Sequence, residues 1–240
     1  MILLIDTTTN PTAIGLWDEK KIKTKIIESN TENNRKLVGI IEKFIKSNIH
    51  NSKFKILDSI GAIGVINGPG AFTGVRTGVT IANTISYALK IPMYSIDTLS
   101  AQISVGVDLR VDQNADKRRS LPLRRLNNVV SLLSASNTEV YFARFEKGKM
   151  QKGINPDPNG RGIEIVDIMN LQNRLKKGDL IVGDLQEKHC GIWGSNEFRK
   201  VDSSQRIETL LQMIIDNKIR PIKQVLPLYI KKPNITIKKK

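Results

Sequence analysis

The sequence has few of the residue types on which several kinds of protein chemistry depend. One cysteine, Cys190, and two histidines, His50 and His189, occur in 240 residues. A disulfide framework or a cysteine-ligated zinc site needs more cysteines, and a zinc protease needs two histidines on one helix face. Cys190 follows His189 directly, and adjacency in sequence does not give the geometry of an activated nucleophile. The sequence therefore predicts no catalytic residue of this kind, no metal site and a reducing compartment.

Long apolar runs are also lacking. The first run, Met1 to Ile5, is ended by Asp6 and is far shorter than a signal peptide. No stretch approaches the roughly 20 apolar residues of a membrane-spanning helix. We therefore expect a cytoplasmic protein without a membrane segment.

Positive charge is concentrated in the later part of the chain. The formal net charge is +15; residues 1–100 hold 12 basic and 8 acidic side chains, a net +4, and the remainder a net +11. Basic runs attract polyanions such as RNA, because each phosphate contact adds salt-sensitive affinity. Aromatic residues make up only 5% and do not alternate with these charges as stacking platforms would, so a solvated loop explains the run equally well. The candidate RNA contacts are Lys117, Arg118, Arg119, Arg124 and Arg125.

Hydrophobic periodicity predicts an α/β protein with a mixed sheet. Lysines at every second position from Lys21 to Lys25 are typical of a strand with an exposed face at a sheet edge. The order of strands and helices begins again near Val129, as expected for two related halves. The predicted strands are 1–5, 12–17, 20–27, 60–66, 93–96, 129–133, 139–145, 180–182 and 228–230, and the predicted helices are 32–46, 73–89, 166–175 and 203–215.

The run from Asn67 to Gly78 is the most distinctive part of the sequence. Four glycines and a proline lie between a predicted strand and a predicted helix. A glycine-rich turn at a helix N-terminus can present bare N–H groups to an anion. However, Thr73 occupies the third glycine position of G-x-G-x-x-G, and Val75-Arg76-Thr77 replaces the Gly-Lys-Ser/Thr of a Walker loop. Taken alone, this loop indicates a nucleotide site only weakly.

The segment Asp6-Thr7-Thr8, after the first predicted strand, is a second candidate part of such a site. Its oxygens suit a hydrated Mg²⁺, although a turn in which Asp6 binds its own backbone is an alternative. A phosphoryl-transfer site needs a second carboxylate. The equivalent segment in the second half, Ser134-Ala135-Ser136-Asn137, offers none. We interpret Asp6, Thr7, Thr8, Gly68 and Gly70 as the remnant of a degenerate nucleotide site.

Small residues form a stripe on the helix that follows the loop. Gly74, Gly78 and Ala82 recur every four residues. A glycine inside a helix costs about 1 kcal/mol relative to alanine, so two on one face indicate that something packs very close. The protein's own sheet is one such neighbour. We favour a helix-to-helix contact, including one with a second chain.

Together these segments resemble the TsaB (YeaZ) family of bacterial proteins in the synthesis of a tRNA modification. The similarity is strongest at residues 68–78, which are similar to the family's GPG-S/A-FTG-x-R-x-G run. The family's D-A-R is replaced by Ser134-Ala135-Ser136. Shorter similarities lie at Leu3-Leu4-Ile5-Asp6-Thr7-Thr8, Ile96-Asp97-Thr98-Leu99, Glu139-Val140-Tyr141-Phe142-Ala143 and Pro227-Leu228-Tyr229-Ile230-Lys231.

The resemblance implies an actin-like ATPase (ribonuclease H-like) fold, with two lobes of mixed sheets flanked by helices and a reduced second lobe. The first lobe would cover residues 1–100 and the second 101–220, with a basic insertion at about 106–128. Residues 221–240 would form a C-terminal strand and a basic tail that return to the first lobe.

The resemblance also implies a function. Members are non-catalytic scaffolds for forming N6-threonylcarbamoyladenosine (t6A) at adenosine 37 of tRNAs that read codons beginning with A. A TsaD-like subunit transfers threonylcarbamoyl from threonylcarbamoyl-AMP, and a TsaE-like ATPase joins the complex. The chain itself would need no cofactor, because ATP or ADP and metal are expected on the partner subunits. It would meet tRNA indirectly, through the complex.

The family pairs through its first two helices, with TsaD or, when alone, in a homodimer. These helices correspond to residues 32–46 and 73–89. The interface residues implied are Leu37, Ile41, Phe44, Thr73, Gly74, Arg76, Thr77, Gly78, Ile81 and Ala82.

Two other functions stay open. One is an ATP-dependent enzyme of actin-like fold, which would need a second carboxylate besides Asp6. The other is an RNA-binding module that uses the cluster from Lys117 to Arg125.

Overall fold

Two five-stranded sheets with the same strand order form the framework of the protein. The computed structural model describes residues 1–28, 30–49, 59–106, 128–146, 162–186, 189 and 191–231. The strands are β1 Ile2–Asp6, β2 Thr12–Trp17, β3 Ile22–Ile27, β4 Ala62–Ile66, β5 Met93–Ile96, β6 Asn128–Ser134, β7 Glu139–Glu146, β8 Ile163–Asp167, β9 Leu180–Asp184 and β10 Glu197–Lys200. The first sheet has the order β3-β2-β1-β4-β5, and the second has the matching order β8-β7-β6-β9-β10. Each central strand pairs antiparallel with its hairpin partner and parallel with the strand on its other side.

Helices cover both faces of each sheet. They are α1 Thr31–Asn48, α2 Phe72–Leu89, α3 Thr98–Gly106, α4 Ile168–Arg174 and α5 Ser203–Ile215. Strand β1 shows why its sequence is continuously apolar: Leu3 and Ile5 face the core under α1 and α2, whereas Leu4 faces the core that includes α5. The outer face of the second sheet is covered by α4 through Leu171. In the described part of the chain, no helix is long and apolar enough to cross a membrane.

Each of the two inner helices packs on the sheet formed by the other half of the chain. Helix α3 follows the first sheet in sequence but packs on β6 and β9 of the second. Helix α5 follows the second sheet but packs on β1, β2 and β4 of the first. The two helices also contact each other, so both sheets share one inner core. A boundary near residue 100 therefore separates the halves in sequence but not in packing.

The predicted fold class is confirmed. The chain is an α/β protein of the expected two-lobed, actin-like architecture, with its strand order duplicated as the repeat near Val129 suggested. Strand β3, with its alternating lysines, lies at a sheet edge. In the part that the structure describes, the second lobe has the shorter outer helix: α4 has 7 residues, whereas α1 and α2 have 18 each. Its sheet keeps five strands.

Several predicted elements were wrong or missed. The helix predicted from residue 166 begins only at Ile168, because Asp167 ends β8 and caps the helix by accepting the Met169 N–H at 2.8 Å. Strands β8 and β10 and helix α3 were not predicted. Residues 228–230 do not form a strand: the backbone bond that joins Leu228 to the Asn67 carbonyl is not continued into a ladder.

The C-terminal segment 221–231, here called the strap, lies along the first lobe. Ile222 forms an isolated bridge with Met93, and Leu228 donates its N–H to the Asn67 carbonyl at 2.8 Å. The Asn83 side chain binds both the N–H and the carbonyl of Val225, at 3.0 and 2.9 Å. The strap thus adds a backbone segment beside α2. The predicted basic tail beyond 231, most of the basic insertion and all five candidate RNA contacts lie outside the described residues.

Candidate functional site

The glycine loop folds around the turn that follows β1. Ala71 donates its N–H to the Thr8 carbonyl at 2.7 Å, and the Thr7 hydroxyl donates to the Gly74 carbonyl at 2.7 Å. Thr98 closes the other side of the loop with a hydroxyl hydrogen bond to the Pro69 carbonyl at 2.7 Å. The structure therefore brings together the predicted remnant, Asp6, Thr7, Thr8, Gly68 and Gly70.

Glycines are required here because the start of α2 lies directly against the turn that follows β1. A Cβ atom on Gly74 would lie 2.1 Å from the Thr7 carbonyl oxygen, and one on Gly78 would lie 2.2 Å from the Thr7 hydroxyl oxygen. Gly68 also has a φ of 107°, which side chains rarely adopt. The stripe of Gly74, Gly78 and Ala82 therefore faces its own chain, and its interpretation as a helix-to-helix or second-chain contact was wrong.

Asp6 is fully buried and accepts hydrogen bonds from three donor groups of two residues. Its Oδ1 accepts the Thr8 N–H at 2.9 Å and the Thr8 hydroxyl at 2.6 Å. Its Oδ2 accepts Nε of Arg206 at 2.7 Å, in an ion pair whose two side chains are both 0% exposed. Both carboxylate oxygens are thus committed to internal hydrogen bonds.

Arg206 reaches from Asp6 to a second carboxylate, Asp184. Its Nη1 lies 3.3 Å from Oδ2 of Asp184, at the end of β9, and its Nη2 donates to the Thr9 hydroxyl at 2.5 Å. We call Arg206 with Asp6, Thr9 and Asp184 the arginine clamp. The carboxyl ends of β1 and β9 face each other here, as two lobes of this topology require.

The position of Arg206 in its helix pattern indicates a special role, but no sequence pattern indicates that it pairs with Asp6 and Asp184. Arg206 lies on the buried stripe of α5, four and seven residues before Leu210 and Met213, where an apolar side chain is expected. A buried charge needs a partner, so a carboxylate could have been sought. Asp184 was overlooked because its strand was predicted to end at Val182.

The arrangement does not suit a cation. A guanidinium already stands between the two carboxylates, so a Mg²⁺ ion would have to displace it or bind beside it against charge repulsion. Among the residues that the structure describes, no group of three or more acidic, histidine or cysteine side chains could hold a metal. Arg206 joins the ends of β1 and β9 by charge-assisted hydrogen bonds to Asp6 and Asp184.

Two other polar groups at these strand ends have internal roles. Asp97 follows β5, accepts the Ser100 N–H at 2.9 Å, and has a raised pKa because it is buried. His189 is buried, with Nδ1 2.9 Å from the Ser134 hydroxyl and Nε2 3.0 Å from the Asn137 carbonyl. The tautomer with hydrogen on Nε2 satisfies both contacts, so His189 connects the β6–β7 turn to the segment after β9.

The predicted interface residues fall into two groups. Leu37, Ile41 and Phe44 lie in the core beneath α1, and Gly78 and Ala82 are buried beneath α2, so the structure contradicts their direct contact with a partner. The others lie at or near the surface: Thr73 and Arg76 are exposed, and Gly74, Thr77 and Ile81 are half-buried.

The outer face of α1 and α2 carries exposed apolar side chains that were not predicted. Val38 on α1 is 62% exposed and Tyr87 on α2 is 88% exposed. Beside α2, the strap exposes Leu226, 70% accessible, and its Tyr229 packs on Phe72 with ring centroids 4.6 Å apart. An open groove of about 720 Å³ lies where the last turn of α2 meets the strap. Its lining includes Tyr87, Lys90, Pro92, Ile222 and Lys223.

Known proteins with similar sequences share one biosynthetic process. A family model described as TsaD, tRNA N6-adenosine threonylcarbamoyltransferase, matches residues 25–157. The tRNA threonylcarbamoyladenosine biosynthesis protein TsaB of Buchnera aphidicola subsp. Schizaphis graminum is 37% identical over 185 residues, covering 77% of this chain and 78% of that protein. Escherichia coli TsaB is 21% identical, with 99% of this chain and 97% of that protein covered.

The solved structure of YeaZ from Pseudomonas aeruginosa has a similar fold. The two superpose with a TM-score of 0.65 at 16% identity, covering 95% of this chain and 99% of that one. The relatives aligned over most of both chains are thus TsaB proteins, whereas the TsaD model matches a part of this sequence.

Proposed function

The chain belongs to the TsaB (YeaZ) family of tRNA threonylcarbamoyladenosine biosynthesis proteins, and we propose that it acts there as a non-catalytic subunit. In this role it supports a TsaD-type subunit, which transfers threonylcarbamoyl from threonylcarbamoyl-AMP to adenosine 37 of tRNA. The arginine clamp supports the proposal. Asp6 and Asp184 are the two facing carboxylates, and the guanidinium of Arg206 already pairs with both.

In this role the partner subunits carry out the chemical reaction. ATP or ADP and metal bind to the TsaD-type subunit and to a TsaE-type ATPase, and tRNA is held by the assembled complex in the cytoplasm. This chain contributes a surface that binds the partner, and it needs no cofactor for that role.

The pairing surface that we assign is the outer face of α1 and α2. Three features favour it: the exposed Val38 and Tyr87, the exposed cation Arg76, and the strap that broadens the face beside α2. Arg76 lies over the Phe72 ring, with its guanidinium carbon 4.7 Å from the ring centroid, so it presents a fixed charge. Arginine and tyrosine are enriched among the residues that dominate binding energy at interfaces. In the absence of TsaD the same face would pair two copies.

A reconstituted reaction tests the subunit role. TsaD-type and TsaE-type proteins of the same organism are supplied with tRNA, ATP and threonylcarbamoyl-AMP, with and without this chain, and t6A is measured in the digested tRNA. We expect product only when the chain is present, and none from the chain alone. Equal t6A formation without the chain would contradict the proposal.

One observation favours the alternative of an ATP-dependent enzyme. The second carboxylate that this alternative requires is present as Asp184. Arg206 argues against this alternative, because its guanidinium would repel a metal ion bound at the two carboxylates. Calorimetry of the isolated chain with Mg-ATP separates the two: heat of binding that saturates at micromolar nucleotide would favour the enzyme, whereas the subunit role predicts none.

A further inference from the structure

Arg206 contacts both lobes with a side chain that is completely buried. The Asp6 and Thr9 contacts come from the first sheet and the turn that follows its central strand, and the Asp184 contact comes from the second sheet. Nη1 also donates to the Val201 carbonyl at 3.3 Å, in the segment before α5. All three guanidinium nitrogens therefore have an acceptor, and the planar fork fixes the directions of those acceptors relative to each other.

The charges around Arg206 make the structure sensitive to its removal. Two carboxylates face one guanidinium, and Asp6 cannot reach water because it is 0% exposed. Without Arg206, the buried Asp6 would have only the two Thr8 donors, and Asp184 would approach it with the same sign of charge. Removing one member of a buried ion pair is far more damaging than removing both.

We propose that Arg206 is the positioning residue of the two lobes. It sets their separation by holding the ends of β1 and β9 at a fixed distance. Its guanidinium supplies positive charge between the two carboxylates, so this arrangement of the lobes needs no bound ion or nucleotide. The outer face of α1 and α2 thereby keeps a constant orientation to the second lobe. This inference concerns the isolated chain and does not depend on the proposed function.

The test measures the distance between the lobes. Cysteines replace the exposed Val38 on α1 and Met169 on α4 in a Cys190→Ser background, and both carry spin labels. The labelled protein is diluted with unlabelled protein, so that pulsed electron paramagnetic resonance reports distances within one chain. We expect one narrow distance distribution, unchanged by Mg-ATP.

Two variants and a control are compared. Arg206→Met removes the charge at similar length, and Asp184→Ala removes only the acceptor in the second sheet. Arg174→Met is the control, because Arg174 pairs with Glu164 within the second lobe, with both side chains about half exposed. We expect Arg206→Met to lower Tm by roughly 10 °C and both clamp variants to broaden the distribution. Arg174→Met should leave Tm within about 2 °C and the distribution unchanged.

The result that overturns the proposal is a wild-type distance distribution in both clamp variants, whatever their Tm. Arg206 would then stabilise its surroundings without positioning the lobes. If Arg206→Met does not fold, Asp184→Ala decides the question by itself, because it removes the contact with the second sheet and leaves the Asp6–Arg206 pair intact. Narrowing of the wild-type distribution on addition of Mg-ATP would also contradict the claim that Arg206 replaces an external cation.

Discussion

Gly74 lies against Thr7, with the Thr7 hydroxyl donating to the Gly74 carbonyl at 2.7 Å and the Thr7 carbonyl 2.1 Å from the place of a Gly74 Cβ. This contact joins the start of α2 to the turn after β1. It explains why a helix keeps glycine at a cost of about 1 kcal/mol relative to alanine. A substitution at Gly74 therefore tests the fold of the first lobe, not its contact with a partner.

We expect Gly74→Ala to destabilise the protein by about 3 kcal/mol or more. The added methyl group meets a backbone carbonyl, which cannot move without shifting β1 or α2. Urea denaturation followed by circular dichroism measures the loss.

The matched control is Gly39→Ala in α1. Gly39 is exposed, and a Cβ there would meet nothing within 4 Å. Alanine should therefore raise the free energy of unfolding by about 0.5–1 kcal/mol through helix propensity. If the two variants have the same stability, the contact with Thr7 does not restrict position 74.

Asn83→Ala should release the strap. The Asn83 amide holds both backbone groups of Val225, and alanine leaves them without these partners. Hydrogen exchange of the amides at 222–231 should quicken at least about tenfold, since one lost hydrogen bond corresponds to roughly 1 kcal/mol and two are removed.

The control for the strap is Thr84→Ala, the next residue on α2. The Thr84 hydroxyl bonds only to the Thr80 carbonyl within the helix, and the side chain is exposed. Exchange in the strap should be unaffected. Equal protection of residues 222–231 in the Asn83 variant and the native protein would show that other contacts fix the strap.

Asp97→Asn should change how stability depends on pH. Burial raises the pKa of Asp97, so the folded state holds its proton at pH values where the unfolded state, with a pKa of about 3.9, has lost it. Between these pKa values the folded state binds more protons, and stability falls as pH rises. Asparagine keeps the cap on Ser100 without the charge.

The quantity to measure is the difference in unfolding free energy between Asp97→Asn and the native protein from pH 4 to pH 8. It should grow in favour of the variant as pH rises and become constant above the raised pKa. Taking a difference cancels contributions of opposite sign, such as that of Glu139, whose pKa is lowered by its contacts with Lys231 and Ser136. A difference that shrinks with rising pH would contradict the burial argument.

Sequence patterns predicted the elements whose signal is local. The strand Thr12–Trp17 and the helix Ser203–Ile215 were predicted to the residue, because their apolar spacing is regular and turn or capping residues bound them. The interpretation of Asp6 and the glycine loop as parts of one site placed them together, and the carboxyl ends of adjacent parallel strands do meet there.

Features that depend on distant residues were not predictable in the same way. Arg206 and Asp6 are 200 positions apart, and their pairing follows from the exchange of α3 and α5 between the sheets. The stripe of Gly74, Gly78 and Ala82 indicated that another group packs closely on α2, but it did not identify that group as Thr7. Strand β10 has the sequence EFRK, and its three charged residues give no apolar pattern by which an edge strand could be predicted.

The affinity of the TsaD-type subunit for the outer face of α1 and α2 tests the central claim most directly. Binding is measured by calorimetry for the native chain, for the double variant Val38→Asp with Tyr87→Asp, and for Met169→Asp, an equally exposed apolar position on the second lobe. All three should unfold at similar temperatures, since these side chains are exposed. We expect at least about tenfold weaker binding for the double variant and native affinity for Met169→Asp. Native affinity in the double variant, or an equal loss in Met169→Asp, would contradict it.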